Sequence, residues 1–517
     1  MVTDSVSYIA AGNNVTHKYN EFFSTNALRQ DLNRRSLRGG MAVTGAEILS
    51  SVIRIGATAA LARLLVPGDF GLLSMVTAIS VFAERFKDLG LSDATVQIES
   101  INHTQVTGLF WINVVVCTCI AVILASLSTT IAWFYRESRL VSVSLVISST
   151  FIFSGLVIQH HALLRRQLRF GALAAIQLSS IALSQGLAIA VAYYGFGYWA
   201  LVAREFSRSL FVVVGTWIIC SWRPGRPQRK AGIATLMSFG RNVTAFNVVN
   251  FLSQSVDRIL IGRLHGSEWL GLYDNAHKVL GMPVNQMRYP VNTVALPALS
   301  ALQGQPDKFR AYYERASRLV TFAVTPVVVF TFIFSDLVVA LLLGPQWSKS
   351  VPILRIIAVG ALVEPFVQLV GPALVACGKT KEYFRLGLAS SILLVVLVLV
   401  GGSLWGTMGV ALAVATNTLF SIALAMVYGL RYLPVESKHL LPRQAFDLTI
   451  SVLWGAMLAA ARYALGWSIK ASWILFYVIG GVLLYFALWR VVPGGRERLS
   501  AYRDYFARVF GKKEVKK

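Results

Sequence analysis

Charge is scarce in this 517-residue chain: Asp, Glu, Lys and Arg together make 14% of it, against roughly 25% in soluble domains. Acid is scarcer still. The chain has 24 acidic residues against 48 basic ones, a formal net charge of +24, and a sequence pI near 10.2. Cysteine is limited to Cys117, Cys119, Cys220 and Cys377. Cys117 and Cys119 stand two apart on a helical pattern and so point to different faces. Each shortage excludes a class. The low charge density excludes a soluble basic nucleic-acid binder and a disordered chain. The cysteine pattern predicts no disulfide and no metal site, and nothing in the sequence calls for a cofactor. What the chain has in abundance is apolar: 56% hydrophobic residues and a mean hydropathy of +0.62.

Apolar stretches of about 20 residues, long enough to cross ~30 Å of hydrocarbon, recur along the whole length. We read fourteen, at 41–64, 70–90, 107–134, 140–162, 171–193, 197–220, 236–262, 269–298, 317–343, 351–376, 383–401, 407–430, 446–466 and 471–490. Little remains for a catalytic domain outside the bilayer, so the expected fold class is an all-α polytopic membrane protein. Counting Lys and Arg in alternate connections gives 29 on one side, including five in the leading 40 residues and nine from Arg490 onward. The other side has five: Arg136, Arg139, Arg263, Lys349 and Lys470. That asymmetry predicts both termini in the cytoplasm and an even number of spans. The leading 40 residues are polar without an apolar core, which reads as a cytoplasmic tail rather than a secretory signal peptide.

A shift of 200 residues reveals a repeat. Arg63, Leu64, Gly71 and Leu72 fall on Arg263, Leu264, Gly271 and Leu272. The stripe Glu47, Ser50, Arg54 falls on Asn247, Asn250, Gln254, at i, i+3 and i+7 of one helical face. A second offset, of about 212, sets Gly197 and Ala203 on Gly409 and Ala415. Six helices separate the copies, an even number, so the repeats are parallel. The organisation expected is a tail (1–40), an N-lobe of six helices (41–220), a basic cytoplasmic linker (221–235) and a C-lobe of six (236–430). Two appended helices (446–490) and a basic cytoplasmic tail (491–517) follow. Paired six-helix lobes are a transporter architecture.

Ionisable side chains inside a bilayer cost about 2.5–3.5 kcal/mol each and face a partner or a wet cavity. Arg54 in the first span and Arg204 and Arg208 in the sixth are candidates for an anionic ligand. Arginine presents a planar fork of donors to phosphate oxygens, and two arginines at i, i+4 repel unless something anionic joins them. The alternative is a structural pair of Arg204 or Arg208 with Glu205 or Glu47. Ser50, Asn247, Asn250, Gln254, Asn285 and Asn292 form polar stripes suited to a hydroxyl-rich cargo. Candidate cation-coupling or gate residues are Glu47, Glu205, Asp257, Arg258 and Glu364. Glu364 precedes Pro365 within a span, where a kink should free backbone carbonyls to bind a proton or sodium ion; the alternative is a silent pair with an arginine. Pro283, Pro290 and Pro297, spaced by seven, predict a repeatedly bent eighth span.

The segment Leu64–Gln97, LLVPGDFGLLSMVTAISVFAERFKDLGLSDATVQ, closely resembles the hallmark of bacterial polysaccharide flippases. These belong to the multidrug/oligosaccharidyl-lipid/polysaccharide exporter superfamily. Ser255–Pro283, SVDRILIGRLHGSEWLGLYDNAHKVLGMP, and LPALSAL at 296–302 are similar to that family too. The resemblance implies fourteen helices in two lobes that rock between inward- and outward-open states. It implies a cargo of undecaprenyl-pyrophosphate-linked oligosaccharide, a repeat unit of exopolysaccharide, capsule or O-antigen, flipped to the outer leaflet. H+ or Na+ exchange or the membrane potential would drive the step. Partners implied are the polyprenyl-linked cargo, the lipid bilayer, and polymerase and chain-length regulator proteins, with no nucleic acid. Other classes stay open: an enzyme of the same pathway (polymerase or glycosyltransferase), or a small-molecule exporter of the same superfamily.

Overall fold

The computed structural model describes residues 32–88, 90–98, 101–227, 234–435, 437–464 and 474–510. Helix follows helix, and no strand occurs among the described residues. The leading residues 1–31 lie outside them, as do residues 228–233 of the linker. By clustering of contacts the chain divides into two compact units, Met1–Gly271 and Leu272–Lys517.

The first unit begins with α1 (Leu32–Leu64), α2 (Pro67–Glu84), α3 (Leu91–Gln97), α4 (His103–Ser126) and α5 (Ser128–Tyr135). It continues through α6 (Leu140–Gly155), α7 (Ile158–Arg166), α8 (Phe170–Tyr193) and α9 (Trp199–Ile219). Local chemistry sets the starts. Pro67 opens α2, where its missing N–H is no loss, and the Asp69 carboxylate accepts from the Val66 N–H at 3.2 Å. Asn102 and Gln105 cap α4 reciprocally, each side chain accepting from the other's backbone N–H at 2.9 and 3.1 Å. Helix α8 packs against both α1 and α9, while α6 packs against α4, α9 and α2. A buried cluster of Leu91, Phe110, Leu163, Leu164 and Trp222 joins α3, α4 and α7 to the chain leaving α9. There the Trp222 indole donates to His103 Nδ1 at 3.1 Å, and Arg166 donates to the Thr95 carbonyl at 3.0 Å.

Helix α10 (Ala234–Ala301) is two helices joined at Gly266, the one residue inside it with non-helical angles (φ 82°). The three prolines expected to bend its second half leave the backbone helical throughout. A proline costs the ladder one hydrogen bond, whereas a reversal needs a residue that can enter positive φ, and only glycine does so freely.

The repeat read from the sequence has a physical counterpart at one crossing. A methyl group on Gly71 would lie 1.7 Å from the Ser267 carbonyl oxygen, and one on Gly271 would lie 1.9 Å from that of Pro67. The two contacts are the same contact shifted by 200 residues. Backbone meets backbone with no room for a β-carbon, which is why both positions are glycine.

The second unit contains α11 (Pro306–Ile333), α12 (Ser335–Leu342), α13 (Ser350–Val363), α14 (Val370–Ala376) and α15 (Thr380–Val427). It closes with α16 (Ser437–Ala464), α17 (Ile474–Val491) and α18 (Gly495–Phe510). Helix α15 joins two stretches of the sequence reading across a kink at Trp405 and Gly406 (φ 60°). Helix α11 packs on α16 and α13, α13 on α15, and α17 on α16 and α18. The last helix lies in the segment read as a basic tail.

Eight helices are long and apolar enough to cross a membrane, by length and composition among the described residues. Large apolar side chains such as Val115, Val122, Ile123, Ile218 and Leu483 are more than half exposed. A surface of this kind is unfavourable in water and suits lipid tails.

Candidate functional site

In the first unit the candidate side chains of the sixth and first spans lie on α9 and α1, which each pack on α8. Ser50 is buried, and Arg54 donates to Glu47 Oε1 and Ser51 Oγ at 2.6 and 2.9 Å. Arg54 lies about 15 Å from the C-terminal end of α1 at ~1.5 Å per residue, and Glu47 neutralises it two turns away on the same face. On α9, Arg204 reaches Glu205 through both Nε and a terminal nitrogen, at 3.1 and 2.9 Å. Arg208, about 13 Å into the helix from Trp199, is exposed and has no hydrogen-bond or ion-pair partner among the described residues. The three sequence candidates thus differ: two are answered by carboxylates, and the third presents an unspent charge. Asp257 is buried and Arg258 half-buried.

In the second unit, Glu364 stands where α13 gives way to a short 3-10 turn, Glu364–Phe366, before α14. Pro365 brings no N–H to continue the α ladder. The carboxylate is held face to face by Arg288 of α10, Nη1 to Oε1 at 2.7 Å and Nη2 to Oε2 at 2.9 Å. Any cation taken up at Glu364 must displace or share this guanidinium. Arg288 is itself nearly enclosed, with 10% of its side chain exposed. On the same helix Lys278 pairs with buried Asp274 at 2.6 Å, and Asn285 is exposed. The side chains of Asn247, Asn250, Gln254 and Asn292 lie outside the described residues.

Sequence reading did not single out Arg288, Arg462 or Asp447. Arg288 follows Asn285 by three residues on one face of α10, the signal that would have found it. Arg462 grips Asp336 from α16, and Arg443 grips Glu314; such pairs join elements more than 100 residues apart and leave no local pattern. The thiols are free, Cys117 buried and Cys119 exposed two residues on. On the turn between α5 and α6, outside the spans, the Arg139 guanidinium holds the Glu137 carboxyl below its ordinary range.

Exposed apolar helix faces, paired charges within the apolar segments and helices broken at Gly266 and Pro365 define a polytopic membrane protein rather than a soluble one. Solved structures agree on the fold. The chain is similar to the lipid II flippase MurJ in an inward closed conformation, with TM-score 0.71 and 14% identity, covering 90% of this chain and 100% of that one. It also resembles an inward-facing MATE transporter of the MOP superfamily, with TM-score 0.51, 13% identity and 75% and 94% coverage. Residues 60–352 match the family described as polysaccharide biosynthesis protein, and the chain belongs to that family. Relatives include the lipopolysaccharide biosynthesis protein WzxC of Escherichia coli, 25% identical over 68% of this chain and 72% of its own length. The teichuronic acid biosynthesis protein TuaB of Bacillus subtilis is 28% identical over 59% of this chain and 64% of its own. The succinoglycan biosynthesis transport protein ExoT of Rhizobium meliloti is 21% identical over 58% and 60%.

Proposed function

We propose that this protein is a flippase, not an enzyme, that moves an undecaprenyl-pyrophosphate-linked oligosaccharide repeat unit from the inner to the outer leaflet of the bacterial inner membrane. The cargo serves exopolysaccharide, capsule or O-antigen synthesis, and movement is by alternating access across fourteen spans with both termini cytoplasmic. Family membership and the carrier fold support transport in polysaccharide biosynthesis; the charge asymmetry of the connections supports the orientation. The observation that carries the ligand class is Arg208. A cation more than two turns inside an apolar helix, exposed and without a carboxylate, is favourable when an anion shares its site. Arg54 and Arg204 complete the cationic set, released toward phosphate oxygens as Glu47 and Glu205 exchange partners. The Arg288–Glu364 pair is then the coupling or gate element, opened when a proton or sodium ion neutralises the carboxylate.

The test is complementation of a deletion strain by Arg54→Ala, Arg204→Ala and Arg208→Ala, with surface polysaccharide and protein level measured together. Arg208→Ala should lower surface polysaccharide at unchanged protein level and leave lipid-linked glycan accumulated inside. Full output from all three variants contradicts the phosphate site. Surface glycan unchanged with altered small-molecule resistance would instead indicate an exporter.

A further inference from the structure

The last helix is not a loose tail. Asp447, fully buried on α16, accepts from Arg498 at 3.2 Å and from the Tyr502 hydroxyl at 2.9 Å, both on α18. Arg498 also lies over the Phe446 ring, 3.9 Å from its centroid, and Tyr502 packs on Phe322 at 4.5 Å between centroids. These contacts fix the rotation of α18 about its own axis. They direct a second face, Arg496, Leu499, Ser500 and Arg503 at i, i+3, i+4 and i+7, into a cavity of about 650 Å³. Phe322 and Phe486 form its apolar wall, and Arg490 from the end of α17 is the third cation. No carboxylate is among the described residues lining it. Three guanidinium groups beside an aromatic and aliphatic wall suit a ligand with an anionic head and a hydrocarbon body.

We propose that this cavity binds the phosphate of an anionic glycerophospholipid, held by Arg490, Arg496 and Arg503, its acyl chains leaving along Phe322 and Phe486; the Ser500 hydroxyl donates instead to the Glu497 carbonyl at 2.8 Å. The shared chemistry, a phosphate ester on a lipid, also describes a polyprenyl pyrophosphate. The phospholipid is favoured because anionic lipids are the bulk phosphates at the inner surface, where clustered arginines concentrate them. Placement at the inner leaflet rests on the orientation proposed above; the binding preference does not, so the assay below can succeed or fail whatever cargo the protein carries.

The experiment is native mass spectrometry of the full chain in detergent, titrated with dioleoylphosphatidylglycerol, dioleoylphosphatidylcholine, undecaprenyl pyrophosphate or inorganic phosphate. The protein should retain phosphatidylglycerol over phosphatidylcholine. The triple variant R490Q/R496Q/R503Q should weaken phosphatidylglycerol binding by about tenfold or more. A charge-matched control, K379Q/K381Q/R431Q, should bind as the parent does. Leu499→Glu, which places an acid in the cavity without touching Arg498 or Tyr502, should lose the lipid while keeping the parent's melting temperature in lipid-free detergent. Equal binding by parent and triple variant overturns the site, as does equal loss in the control. Preference for undecaprenyl pyrophosphate, or competition by inorganic phosphate as strong as by lipid, overturns the assignment to phospholipid.

Discussion

At the scale of single residues, the account rests on which charges are already answered. Arg54 and Arg204 each hold a glutamate, so alanine at either leaves an acid inside an apolar helix as well as removing a cation. Their loss mixes stability with function. Arg208 has no such partner to strand, and Arg208→Ala should impair output with little change in melting temperature, checked by thermal unfolding beside the glycan assay. The double variant Glu47→Gln/Arg54→Gln removes the pair without leaving a charge. It should recover protein level relative to Arg54→Ala, as quantified by membrane immunoblot. Gly71 offers a sterically defined case. Gly71→Ala drives a methyl into the Ser267 carbonyl, a backbone atom that cannot rotate away, and should cost at or above the upper end of ~1–3 kcal/mol for overpacking. Gly68→Ala, whose methyl would meet only the Ser267 hydroxyl at 3.7 Å, should be tolerated. Equal melting temperatures for the two variants would contradict the crossing.

At the scale of elements, the broken helix at Glu364–Phe366 and the Arg288 fork upon it form one device. Glu364→Gln keeps the shape and removes the charge; it should destabilise by about 1–3 kcal/mol, below the ~3–5 of a fully buried pair, because Glu364 is 44% exposed. The swap R288E/E364R should recover stability and, if the pair only braces the fold, transport too. Recovery of stability without transport, read in the complementation assay, would assign the carboxylate itself to coupling. Much of this level was legible beforehand. Pro365 announced the interruption of its helix, and the matched glycines 71 and 271 announced a repeat whose crossing obeys the same offset. The break of α10 at Gly266 falls between the seventh and eighth spans as read, and prolines 283, 290 and 297 keep helical backbone angles. Arg288 was not legible as a partner of Glu364 because 76 residues separate them. Side chains on distant elements meet through packing, and hydrophobic periodicity says which face is apolar, not which opposite charge it will find. The same holds for Asp447, whose partners sit in a segment that reads only as basic.

At the scale of the whole molecule, a chain poor in acid and rich in apolar residues becomes a succession of helices whose exposed faces suit lipid and which pair Arg54, Arg204, Arg288 and Arg462 with carboxylates. On the proposed orientation, the excess of basic residues divides between cytoplasmic connections and a few positions within the helices. Orientation can be read by labelling single cysteines introduced at Ser138 and Thr380 in a cysteine-free background with a membrane-impermeant maleimide. In intact cells with a permeabilised outer membrane Ser138 should react and Thr380 should not; the reverse would invert the topology. The central claim is translocation itself. Purified protein in liposomes carrying an undecaprenyl-pyrophosphate-linked oligosaccharide should make the inner-leaflet share of the glycan accessible to an impermeant oxidising reagent, and Arg208→Ala should slow that exposure. If only the outer-leaflet share reacts with or without the protein, in the presence of a proton or sodium gradient of either direction, the protein is not a flippase for this class of lipid.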